Sequence, residues 1–138
     1  MARVLTFGEL MLRLSPPGYE RILQSPRFEA SFGGGEANVA VSLVKLGVSA
    51  AFATRLPENA LGDAAMGELA RQGVDTSWVI RGGERMGIYY CERGAAQRAS
   101  KVIYDRKHSG IAEAKPGDFD WDAALAGCEW FHFTGITP

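Results

Sequence analysis

The chain has 138 residues, 46% of them hydrophobic and 22% charged, with a formal net charge of -1. Such a chain supports one core and can bury roughly two thirds of its unfolded surface. Acidic and basic residues are interspersed, which argues against nucleic-acid and membrane-surface partners.

The N-terminal run is interrupted by Glu9. It forms neither a signal peptide nor an apolar stretch long enough to span a bilayer, so a cytoplasmic location is expected. Cys91 and Cys128 are far apart, form no CxxC pair and read as reduced core residues rather than a disulfide or metal ligands.

Arg3 to Leu12 reads as one strand. Residues 13 to 32 form a looser stretch, with a turn at Ser15-Pro16-Pro17-Gly18, that suits short exposed strands or a flap. After Gly33-Gly34-Gly35, the apolar spacing of Ala37, Ala40, Val41, Leu43 and Val44 predicts a helix over 36–46, closed by Gly47. A buried strand is expected over 49–56. Asn59 is positioned to cap a second helix that runs to about Gln72 and stops at Gly73. This order, strand–helix–strand–helix, implies a parallel sheet.

Three strand candidates without intervening helices follow: Trp78 to Ile80, Gly87 to Arg93 and Lys101 to Arg106. They suggest an antiparallel insertion. A turn over 116–120, a short helix over 121–126 and a returning strand over 130–134 complete the chain. Trp121, Trp130, Phe131 and Phe133 read as core. His108 and His132 have no partner motif and read as structural.

The most distinctive segment is Phe32-Gly33-Gly34-Gly35-Glu36-Ala37-Asn38, at a loop-to-helix junction. Glycines there let backbone approach a ligand, and the first free N–H groups of the helix can bind oxygens. A tight turn that only admits glycine explains the same residues equally well. The Rossmann fingerprint needs a glycine where Asn38 stands, and no GK[ST] triplet of a P-loop occurs. Asn38 could hold a sugar hydroxyl or act as a local cap.

The run GGGEANVAVSLVKLG resembles the first signature of the PfkB (ribokinase) family of carbohydrate kinases. Two positions depart from it: Glu36 replaces a small residue, and Pro57 stands where a late glycine is usual. The pattern Gly-Gly-x-Glu-x-Asn is similar to the branch acting on 2-keto-3-deoxygluconate. Met86 to Tyr90 and Val102 to Lys107 resemble that branch's lid strands. Ser109-Gly110 and the closing Gly135-Ile136-Thr137-Pro138 also match, so the resemblance covers the whole chain in order.

The resemblance implies an α/β, ribokinase-like fold: a mostly parallel sheet flanked by helices, with a small β-lid from strands at about 13–32 and 86–106. Residues 1–138 would then be the N-terminal, substrate-binding part of such a domain, without its C-terminal half. The family's substrate lies between the main domain and the lid. By that resemblance Gly33 and Gly34 would offer backbone contacts, Tyr89 and Tyr104 hydroxyls and ring faces, and Arg106 a partner for the sugar-acid carboxylate. Ile136 would add contact from its loop. Glu9 would lie near the sugar at the end of the first strand, and Asn38 could hold a hydroxyl. Without the resemblance, Tyr89 and Tyr104 read as half-buried strand residues and Arg106 as a solvated charge.

The family's reaction uses ATP and Mg²⁺, with a Gly-Ala-Gly-Asp segment supplying the base. That segment does not occur here, so no catalytic residue and no metal ligand is assigned, and the chain alone is expected to be inactive. The expected partner is a sugar or sugar acid, with a homodimer through the lid strands also implied. Fructokinase or another sugar kinase, a Rossmann-type dinucleotide module and a non-catalytic fragment remain as alternatives.

Overall fold

A computed structural model describes residues 2–138. In chain order its strands and helices begin with β1 (Val4–Phe7), β2 (Met11–Ser15) and β3 (Glu29–Gly33), then α1 (Gly35–Lys45), β4 (Ala50–Leu56), α2 (Ala60–Arg71) and β5 (Val79–Arg81). They continue with β6 (Ile88–Glu92), β7 (Lys101–Asp105), α3 (Trp121–Leu125) and β8 (Trp130–Phe133).

Two four-stranded sheets result, in the orders β5-β4-β1-β8 and β3-β2-β6-β7. All pairings in the first, main sheet are parallel. Residues alternate across it as the strand period of two requires. On β4, Ala50 and Phe52 join a core with Ala37 and Ala40 of α1 and Ala65 and Leu69 of α2. Ala51 and Ala53 face the other side, where they join Leu5 and Ala124 of α3. The helices end where their sequence predicts: Gly47 (φ 83°) and Gly73 (φ 90°) take left-handed backbone just past α1 and α2. The Asn59 side chain accepts from the Leu61 and Gly62 amides at the start of α2.

The second sheet is the lid. The structure corrects three expectations about its strands. Arg3 to Leu12 is not one strand: β1 belongs to the main sheet and β2 to the lid, with Gly8, Glu9 and Leu10 as the crossover. Both halves and the crossover are largely buried, so hydrophobicity alone did not mark the break. Trp78 to Ile80 contributes to β5, which lies parallel to β4 in the main sheet, steered there by the bridge between Ala51 and Asp75. The lid is mixed rather than antiparallel: β3–β2 and β6–β7 are antiparallel, but β2 and β6 run parallel.

The aromatic residues of β8 are a further correction. Phe7 packs edge-on against Trp121 at 5.0 Å, and Phe119 stacks on Trp121 at the same distance. Trp130 (72% exposed), Phe131 and Phe133, however, are exposed. β8 is the outermost strand of the main sheet and pairs only with β1. Cys91 and Cys128 are free thiols of intermediate exposure rather than core. Among the described residues no helix is long and apolar enough to cross a membrane.

Candidate functional site at the carboxyl ends of the strands

From β1 the chain steps one way to β4 and β5, whereas β8 lies on the other side of β1. In an open parallel sheet, the crevice beyond the carboxyl ends of two such strands is the usual place for a ligand. A cavity of about 220 Å³ lies beside the segments that leave β1 and β8, lined by Glu9, Met11, Glu36, Tyr104, Arg106 and Ile136, with Gly35, Thr134 and Thr137. Main sheet and lid both contribute to it.

The lid side is built around a buried carboxylate. Glu9 is 5% exposed. Its Oε2 meets the Arg106 guanidinium at 2.7 Å, and its Oε1 accepts a hydrogen bond from the Ser109 hydroxyl at 2.8 Å. A carboxylate desolvated to this extent needs such partners, and here both oxygens have one. Arg106 is half-buried at the end of β7, with its guanidinium carbon 5.7 Å from the centre of the Tyr104 ring. Stacking and a charge-assisted pair therefore hold the guanidinium together, a use of arginine that lysine would not reproduce.

Tyr104 lies opposite Tyr89 in the β6–β7 register, and their rings are 6.1 Å apart. Tyr89 sits beside the cavity rather than in its lining. Its hydroxyl occupies the space that a side chain on Gly33 would need. Burial pushes the Tyr89 phenol above its ordinary value, with the Arg13 charge acting in the opposite sense.

Gly34 precedes α1 with extended backbone (φ -177°), so its glycine is not required for a left-handed turn. The reason is space: a Cβ there would run into the Glu9 carbonyl oxygen. The glycine run thus lets the start of α1 press against the β1–β2 crossover.

The structure therefore brings Glu9, Tyr104, Arg106 and Ile136 around one cavity, with Gly33, Gly34 and Tyr89 immediately behind them. Asn38 does not join them. It is exposed on α1 and lines a separate depression with Leu10, Phe32 and Gln72. Sequence reasoning missed Glu36, Ser109 and Thr134 as site-forming residues. Glu36 carried a readable signal, being an acid on the α1 face that also buries Ala37 and Ala40.

A family model described as pfkB family carbohydrate kinase matches residues 1–135. The chain belongs to the pfkB family of carbohydrate kinases. It is 40% identical over 137 residues to a 2-dehydro-3-deoxygalactonokinase of Haloferax volcanii, covering 99% of this chain and 43% of that protein. It is 27% identical over 135 residues to a 2-dehydro-3-deoxygluconokinase of Bacillus subtilis, covering 97% of this chain and 41% of the relative. The crystal structure of 2-dehydro-3-deoxygluconokinase from Thermotoga maritima superposes with a TM-score of 0.97 at 57% identity. That match covers 100% of this chain and 42% of the Thermotoga chain. The chain thus spans about two fifths of the length of these relatives. Membership in this family sets aside the Rossmann alternative.

Proposed function

We propose that this chain forms the sugar-acid-binding part of an ATP-dependent kinase for 2-keto-3-deoxygluconate (2-dehydro-3-deoxygluconate). The single observation that carries this reading is Arg106, held by Glu9 and Tyr104 at the edge of the cavity between lid and main sheet. Glu9 engages one guanidinium nitrogen, Nη2. The remaining N–H groups of the fork suit a substrate carboxylate. Tyr104 and Ile136 supply apolar surface for the carbon chain, with the Tyr89 hydroxyl and the Gly33–Gly34 backbone close by. A neutral sugar, as in a fructokinase, would offer those remaining N–H groups no carboxylate, so the arrangement favours the acid.

In the whole kinase, ATP would donate its γ-phosphoryl group with Mg²⁺ neutralising the developing charge. Among the described residues no three His, Cys, Asp or Glu side chains converge into a metal-binding group. The roles assigned to the residues present are binding and orientation of the sugar acid. β7 is exposed along its whole length at the edge of the lid, which supports pairing of two copies through that edge.

The test is a coupled kinase assay on the full-length protein with 2-keto-3-deoxygluconate, fructose and ribose, run beside Arg106→Ala. The expected result is preference for the acid and a rise in KM for it alone. Preference for fructose, or an equal loss on acid and neutral sugars, overturns the reading.

A further inference from the structure

The wall of the cavity opposite Arg106 and Tyr104 is formed by the segment after β8, which carries Thr134, Ile136 and Thr137. Thr134 and Ile136 are exposed, and β8 itself has a neighbour on one side only. A carboxylate reaches the segment from the main body. Glu36, 5% exposed in the first turn of α1, accepts through Oε1 from both the Thr134 hydroxyl and the Thr134 amide, the latter at 3.3 Å. The carboxylate lies against Gly8, whose missing side chain is what makes room for it. A buried carboxylate is retained only where donors meet it, and here its donors come from the loop.

We propose that Glu36 is a positioning residue that fastens the Thr134–Thr137 loop as one wall of the cavity, and through that loop sets how tightly the sugar acid is held. The ligand half of this inference rests on the proposed function; the loop half does not.

The experiment compares wild type, Glu36→Ala, Glu36→Gln and Thr134→Val by amide exchange and by titration with 2-keto-3-deoxygluconate. Thr134→Val keeps the carboxylate and removes one of its donors at an exposed position, so its folding is not in question. Without ligand, Glu36→Ala should speed exchange of the Thr134 amide by about tenfold or more, while the buried Phe52 amide is unchanged. Glu36→Gln, whose amide oxygen can still accept, should restore most of the protection. The dissociation constant should rise by about fivefold in Glu36→Ala and less in Thr134→Val, because a loosened wall must be ordered on binding. Unchanged Thr134 exchange in Glu36→Ala, or a dissociation constant equal to wild type in both variants, overturns the proposal. Faster Thr134 exchange in Glu36→Ala with no sugar-acid binding by wild type rejects the sugar reading while supporting the loop role.

Discussion

Arg106 and Glu9 meet at 2.7 Å across the boundary between the lid and the main sheet, the arginine 31% exposed and the glutamate 6% at their side chains. The asymmetry determines what each mutation does. Removing the arginine leaves a buried carboxylate supported by Ser109 alone. Removing the glutamate frees a half-exposed guanidinium that water can still solvate.

Arg106→Ala should therefore destabilise the fold by about 1–3 kcal/mol, toward the lower end because the arginine is partly solvated. Glu9→Gln should cost less, since its amide can still accept from Ser109. Urea denaturation of the two variants checks this order. A Glu9→Gln penalty larger than that of Arg106→Ala would mean that the pair is not what keeps the carboxylate in place.

Most of the fold was legible because local rules and tertiary structure agree. Helix ends coincide with Asn59, Gly47 and Gly73, and the alternation on β4 matches its two covered faces. Pairing partners were not legible in the same way. β5 has the short apolar pattern of a lid strand, yet it belongs beside β4, because burial patterns report that a strand is covered and not by which neighbour. Gly8 to Leu10 hid a change of sheet for the same reason. At the site, Glu9, Tyr104, Arg106 and Ile136 followed from the family resemblance. Ser109 and Thr134 act through hydrogen bonds to residues about 100 positions away, which no local pattern encodes; for Glu36 its place on the buried face of α1 was legible, but its partner was not.

Asn59 accepts from two amides of the first turn of α2 at 3.1 Å each. Asn59→Ala should cost about 1 kcal/mol of stability, whereas Asn59→Asp should be close to neutral or slightly stabilising, since the carboxylate also suits the helix N-terminus. Thermal denaturation separates the cases. An alanine variant as stable as wild type would show that water replaces the cap at no cost.

The Tyr89 phenol is raised above its ordinary value of 10.0, first by burial, with Arg13 opposing. Below that value both folded and unfolded chains hold the proton, and stability does not depend on this group. As pH rises past it, the unfolded chain releases its proton first, so the folded state binds more protons and stability falls until Tyr89 itself ionises. Tyr89→Phe should remove that part of the alkaline decline, together with the latest component of tyrosinate absorbance. An identical alkaline slope in the variant would assign the decline to other groups.

Gly34→Ala tests the close contact between the glycine run and the β1–β2 crossover. The backbone dihedrals at Gly34 suit alanine, so the only obstacle is the Glu9 carbonyl oxygen, which the new Cβ would overlap. Backbone cannot rotate away as a flexible side chain does, so either α1 or the crossover must move, at about 1–3 kcal/mol. A shift of the crossover carries the Glu9 carboxylate with it and slackens its hold on Arg106. The variant should therefore lose affinity for the sugar acid beyond what its lowered stability explains, whereas Gly67→Ala, on α2 with open space at its Cβ position, should gain slightly in stability and leave binding unchanged. Denaturation midpoints and sugar-acid titration on both variants give the answer. Wild-type affinity in a folded Gly34→Ala would show that the crossover does not transmit position to Arg106.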